Sequence, residues 1–262
     1  MNKIALITGA SSGIGKDLAI IHASKGGDLI LVARREEKLK DLQTEITEKY
    51  KVKVELIMKD LANPKAAREL YDEILSKGIA IDYLINNAGF GGQGFFHERD
   101  WEAERDMINL NVMTLTELTH LFLPQMIERN SGKILQVASS AAFVPGGPLQ
   151  SVYYATKAYV LSFTQGLAGE LTDTNVTVTA LCPGATATEF EQTAGLEHTG
   201  LFSGKNYDSF SVAHDGYKAM MKGQIVKPTA LPLSMRITMK LMPFLPKKLV
   251  LKQIREMQEV RN

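Results

Sequence analysis

Tyr153 and Lys157 form a YxxxK pattern, the only one among the eight tyrosines. On a helix, side chains four apart share a face, so a phenol and an ammonium can meet one ligand. A free phenol titrates at about 10 and is a poor acid or base at neutral pH. A neighbouring ammonium favours the phenolate and lowers that value. Tyr154 stands three residues from Lys157, not four, and is expected to pack or hydrogen-bond elsewhere. Ser139 and Ser140 end an apolar run, where a fixed hydroxyl can hydrogen-bond a substrate oxygen as charge develops on it. At the other end of the chain, Thr8-Gly9-Ala10-Ser11-Ser12-Gly13-Ile14-Gly15 follows the first apolar run and opens a helical pattern. Gly9 suits a tight turn, Gly13 the approach of a pyrophosphate to the backbone, and Gly15 close packing of helix on strand. The helix N-terminus then offers unpaired amides and the positive end of its dipole to phosphate.

The elements that must position these groups alternate along the chain. Short runs rich in Val, Ile and Leu cover Lys3–Thr8, Asp28–Ala33, Lys53–Met58, Asp82–Ile85, Lys133–Ala138 and Val176–Leu181. Such runs suit strands buried on both faces. Helical spacing marks Glu36–Tyr50, Pro64–Lys77 (with Asn63 as cap), Trp101–Arg129 as one long helix, and Ser151–Thr172. Six strand–helix alternations with short connections specify an α/β fold. Its form is a doubly wound (Rossmann) parallel sheet of about seven strands with helices on both faces. Residues 1–262 read as a single domain. The rhythm breaks in a polar, glycine-containing segment, 186–222, and in a Met-rich end, 223–262. From Lys222 onward nine Lys/Arg face two acids, a net of +7, against about −6 for the preceding residues.

The TGxxxGxG spacing, in this setting, resembles the short-chain dehydrogenase/reductase family, and the likeness continues in order. Asn86-Asn87-Ala88-Gly89 follows the fourth run, Asp60-Leu61 the third and Pro183-Gly184 the sixth. The likeness is strong over roughly residues 3–190. It implies a catalytic tetrad. Tyr153 gives or takes the hydroxyl proton, and Lys157 tunes it and holds the nicotinamide ribose. Ser140, thirteen residues before the tyrosine, polarises the substrate. Asn111, thirteen before Pro124, serves a proton relay, with Asn109 as its near neighbour. Ser139 is then structural or lines the cofactor side. The resemblance also implies cofactor contacts at Gly9, Ser11, Ser12, Gly13, Ile14, Gly15, Asp60, Leu61, Asn87, Ala88, Gly89, Tyr153, Lys157, Pro183, Gly184, Thr186 and Thr188. It further implies a homodimer or homotetramer built on helices 101–129 and 151–172.

Cofactor choice rests on the end of the second run, Val32-Ala33-Arg34-Arg35. An acid there would bind a ribose 2′-hydroxyl. Two guanidiniums instead suit a 2′-phosphate, so Arg34, with Arg35 and Lys38 in support, points to NADP(H). Leu196, Leu201, Phe202 and the methionines of the C-terminal end suit an apolar substrate pocket, or equally core packing or a subunit contact. The basic end suits an acidic or acyl-thioester substrate, an anionic lipid surface, or solubility alone.

Composition narrows the field further. The 262 residues are 45% hydrophobic and 23% charged with a net charge of +1, which excludes disorder and gives no global pull toward nucleic acid. The one cysteine, Cys182, allows no intrachain disulfide and fits a reducing compartment. No run approaches the ~20 apolar residues of a membrane span. The first run meets a glycine turn rather than a cleavage site, so it reads as a buried strand of a cytoplasmic protein. His22, His97, His120, His198 and His214 show no metal spacing, and no GxSxG elbow occurs. The expectation is an NADP(H)-dependent oxidoreductase. It passes hydride between nicotinamide and a carbonyl or secondary alcohol, in the direction of reducing a hydrophobic ketone, aldehyde or 3-ketoacyl compound. The rival is a nucleotide-binding regulatory or scaffold protein on the same fold.

Overall fold

A computed structural model describes residues 2–196, 199 and 207–259. His198, Leu201 and Phe202 lie outside the described residues. The six apolar runs are all strands, to within two residues at either end: β1 Ile4–Thr8, β2 Asp28–Ala33, β3 Val54–Met58, β4 Tyr83–Asn86, β5 Gly132–Val137 and β6 Val176–Pro183. Two short strands, β7 Thr186–Ala187 and β8 Tyr207–Asp208, pair with each other outside the main sheet. β9, Val226–Thr229, joins the main sheet, whose order is β3-β2-β1-β4-β5-β6-β9 with every pairing parallel. β9 carries Pro228, which is tolerated because the strand lies at the sheet edge.

Alternation along the strands builds two cores. Ala5, Ile7, Leu29 and Leu31 face α1 (Gly13–Ala23), α2 (Glu36–Tyr50) and α8 (Ser209–Met221). Leu6, Ile30, Val32 and Leu84 face α3 (Ala66–Ser76), α5 (Leu115–Glu128) and α6 (Ser151–Glu170). Each side chain in β1 from Ala5 to Ile7 is fully buried, as a strand covered on both faces requires.

Two helix readings change. α3 begins at Ala66, because Pro64 lies in a preceding turn that Asn63 closes by accepting from the Lys65 amide at 3.0 Å. The long helix over 101–129 is three pieces: α4 (Trp101–Ile108), a π-helical turn (Asn109–Thr114) and α5. Asp100 caps α4 by accepting from the amides of Glu102 and Ala103. Beyond the sheet, α7 is Phe190–Thr193, α9 Leu233–Leu241 and α10 Lys247–Gln258. No helix among the described residues is long and apolar enough to cross a membrane.

Candidate active site

The strand order reverses between β1 and β4, and the carboxyl ends of the strands open there into a cleft, as doubly wound sheets dictate. The cavity measures about 390 Å³. The glycine-rich turn forms one wall. Gly9 takes φ +66° and Gly13 φ +53°, conformations that a side chain disfavours. A Cβ on Gly15 would stand 2.4 Å from both Gly9 O and the Asn87 amide, so its role is the close packing expected of it. Ser11, Ser12, Gly13 and Ile14 line the cleft where α1 begins, which aims the first amides of that helix into the cavity. Asn87 lines the cavity too, but its side chain is committed. Its Nδ2 donates to Thr8 O (2.9 Å) and Gly9 O (3.2 Å), tying the end of β4 to β1. Ala88, Gly89, Asp60, Leu61, Pro183, Gly184, Thr186 and Thr188 complete this side of the wall. The hydroxyls of both threonines make local turns: Thr186 donates to Gly184 O and Thr188 accepts from the Phe190 amide.

Tyr153 and Lys157 come into the cleft from one face of α6. Lys157 Nζ sits 5.8 Å from the Tyr153 ring centroid and donates to Val137 O at 2.9 Å. Both side chains are buried. Burial strips water from the ammonium and pushes Lys157 down to about 8. It also pushes Tyr153 up to about 12, while a hydrogen bond from Ser139 pulls the other way. The ammonium was expected to lower the phenol; burial pushes it the other way. Phe190 leans on the Tyr153 ring with centroids 5.4 Å apart.

Both candidate serines, Ser139 and Ser140, line the cavity beside Tyr153. Ser139 also accepts from the Ala141 amide at 3.1 Å, capping the short 3-10 turn Ser140–Phe143. The Ala138 amide still follows the β5–β6 ladder, donating to Leu181 O, so the end of β5 delivers both serines to the cleft.

Asn111, on the π-helical turn, is buried behind the wall rather than on it. Its Nδ2 donates to Phe90 O (2.9 Å) and Thr156 Oγ1 (3.1 Å), and its Oδ1 accepts from the Phe90 amide (3.2 Å). A Cβ on Gly89 would lie 2.9 Å from Asn111 Oδ1 and 3.3 Å from Lys157 Nζ, so the three groups crowd one spot. Asn109, only half-buried, makes no such bonds.

At the rim, Arg34 pairs with Asp60 at 3.5 Å. Arg35 spans the glycine turn. Its Nη2 donates to Ser11 Oγ (2.9 Å) and Ser12 Oγ (2.8 Å), and its Nη1 to Glu189 Oε2 (2.6 Å). Lys38 is off the cavity wall because the same Glu189 holds its ammonium. These two cations keep the Glu189 carboxyl down at about 2. No local pattern marks Glu189. Its partners lie in α2 and the turn before it, distant in sequence. The opposite side of the cleft is apolar, with Phe90, Ala141, Tyr154, Phe190 and Leu196 on its wall. Val250 and Ile254 of α10 pack behind the two tyrosines with Met242 and Met257, so these methionines are packing rather than lining. Among the described residues no cluster of side chains has metal-binding geometry. The glycine cradle, the aimed amides and the two guanidiniums fit a dinucleotide.

Comparisons with known proteins agree with this geometry. Residues 3–198 match the model of the short chain dehydrogenase family. The very-long-chain 3-oxoacyl-CoA reductase of Anas platyrhynchos is 36% identical over 194 residues, covering 72% of this chain and 61% of that protein. Sulfoacetaldehyde reductase 2 of Chromohalobacter salexigens is 36% identical over 191 residues, 72% of this chain and 75% of that one. The chain thus spans only about three fifths of the first of these relatives. A short-chain dehydrogenase from Sphingobium yanoikuyae, solved with NADPH, superposes with a TM-score of 0.82 at 31% identity over 94% of this chain and 97% of that one. A matched family model over most of the sequence, on a cleft with this turn and this Tyr–Lys pair, makes the chain a member of the short chain dehydrogenase family of oxidoreductases.

Proposed function

We propose that this protein is an NADP(H)-dependent reductase of hydrophobic carbonyl compounds: ketones, aldehydes or 3-oxoacyl thioesters. The observation that carries the reading is the Tyr153–Lys157 pair of α6, entering the cleft beside Ser139 and Ser140, between an apolar wall and the glycine turn. When bound, a nicotinamide supplies the hydride. The protein does the rest. Ser140, with Ser139 beside it, donates a hydrogen bond to the substrate oxygen, and Tyr153 delivers its proton there as charge develops. Lys157 stabilises the phenolate left behind. Asn111 pins the Phe90 backbone and so holds the wall beside Lys157 in place. Arg34 and Arg35 support the choice of the phosphorylated dinucleotide, since both line the cleft and the tip of β2 carries no acid of its own, Arg34 pairing with Asp60 and Arg35 with Glu189 from other segments. The NADPH complex of the Sphingobium relative and the reductase named in Anas platyrhynchos point the same way.

An apolar surface formed by Phe96, Ile108, Val112, Val152, Ala155 and Tyr159 supports a homodimer or homotetramer through α4, the π-helical turn and α6. The test of function is a panel of hydrophobic ketones, aldehydes and 3-oxoacyl thioesters with NADPH and with NADH, read as loss of reduced-nicotinamide absorbance. NADPH should be preferred on at least one class. Oxidation of neither cofactor, or a preference for NADH, would overturn the reading.

A further inference from the structure

The outer face of the C-terminal helices plays no part in the cleft. In α9, Leu233, Ile237 and Leu241 recur every fourth residue and so share one side of the helix. They are 70%, 52% and 54% exposed. The opposite side buries Met239 and half-buries Met235. Phe244, in the turn that follows, is 85% exposed, and Leu245 and Leu249 are exposed as well. Outward-facing aliphatic and aromatic groups this dense mark an interaction surface. Arg236, Lys247, Lys248 and Lys252 are exposed among them. Among the described residues no carboxylate pairs with Arg236, Lys247 or Lys248, and Lys252 has only Glu256 at 3.9 Å.

The inner face of α10 is anchored. Val250, Ile254 and Gln258 are buried, and Gln258 Nε2 donates to Tyr154 Oη at 2.8 Å while its carbonyl accepts from Gln93 at 2.6 Å. The outer face is therefore presented on a fixed support. A second copy of the chain would set these unpaired cations against their own kind, with almost no acids to offset them. An interface of acyl chains under anionic headgroups satisfies both halves of the patch at once. We propose that α9, the turn at 242–246 and the outer face of α10 dock on an anionic bilayer surface, with the aliphatic stripe among the headgroups and the cations against lipid phosphates and carboxylates. The docked face is the back of the helix that packs behind Tyr153 and Tyr154, so the apolar side of the cleft lies close to the lipid.

The test uses the full chain and vesicles of phosphatidylcholine alone or mixed with phosphatidylserine, read by co-sedimentation. Binding to the mixed vesicles should exceed that to neutral ones by about tenfold or more and should weaken with salt. Ile237→Ser with Phe244→Ser, and separately Lys247→Ala with Lys248→Ala, should each lower the partition about tenfold or more, with the unfolding midpoint unchanged. The lysine pair keeps the test valid should the apolar pair disturb folding. Equal binding to both vesicle types, no binding, or retention by both double variants would overturn the proposal. So would sedimentation velocity showing that the apolar pair turns a dimer into a monomer, because the stripe would then be a contact between copies. None of these readouts depends on turnover, so they stand apart from the reductase reading.

Discussion

Replacing Glu189 with Gln removes the single charge that holds Arg35 and Lys38 together. Without screening, a carboxyl lowered from 4.5 to about 2 would correspond to roughly 3 kcal/mol of stabilisation. Screening decides otherwise. The Glu189 side chain is 40% exposed and its partners 44% and 45%, and exposed pairs are worth about 0.2–1 kcal/mol each. The folded pKa is depressed, so the contribution is present above the unfolded value of 4.5 and fades as pH falls toward 2. Glu189→Gln should therefore cost at most about 2 kcal/mol at neutral pH, and nothing at the acid end of that window. Its effect on the cofactor should be the reverse. Arg35 already reaches the Ser11 and Ser12 hydroxyls at the cleft, and Glu189 competes with an incoming 2′-phosphate for it. Relieving two such pairs should tighten NADPH about twofold to thirtyfold, leaving NADH unchanged. Fluorescence titration with each cofactor and urea melts across pH measure the two halves. Equal loosening of both cofactors would refute the reasoning, for Glu189 would then be holding the segment after β6 in place rather than competing for Arg35.

Ser140→Ala should lower kcat by about a hundredfold or more, the scale of one lost donor to a developing oxyanion, while Ser139→Ala stays within tenfold; steady-state kinetics on one ketone rank the two. Tyr153→Phe should cost about a hundredfold to ten-thousandfold in turnover with NADPH binding retained in titration. Tyr154→Phe should spare turnover but, by stranding the Gln258 amide, cost about 1–3 kcal/mol in a urea melt. Lys157 titrates at about 8 when folded against 10.5 when unfolded, so between those values the unfolded chain binds more protons and stability rises with pH. Lys157→Met should flatten that slope in urea midpoints measured across the same range.

What the sequence made legible was whatever one short segment determines. The glycine turn needs only backbone conformations that glycine permits, and Tyr153 with Lys157 needs only helical spacing. Asn111 and Asn109 are told apart by burial, which a helical wheel drawn through a regular helix does not report. Ser139 and Ser140 both face the cavity, and how the end of β5 aims each of them is set by its pairing with β6, which counting from the tyrosine does not report. Lys157 was read as lowering Tyr153, and the burial that pushes the phenol the other way is not written in their spacing. Glu189 acts on residues 151 and 154 positions away, a distance no local pattern spans. β9 was indistinct because lysine and proline interrupt its run, and only its place at the sheet edge makes them acceptable.

The π-helical turn at Asn109–Thr114 carries a consequence for how this segment can vary. Each residue turns a regular helix by about 100°, so one residue fewer in the turn would swing everything beyond it around the axis. Leu118, Phe122 and Met126 would leave the sheet they cover, or Asn111 would leave Phe90. The regular helix that a deletion restores would satisfy its own ladder and serve neither neighbour. This stretch is therefore locked in length: an insertion or deletion forces a choice between the core and the site.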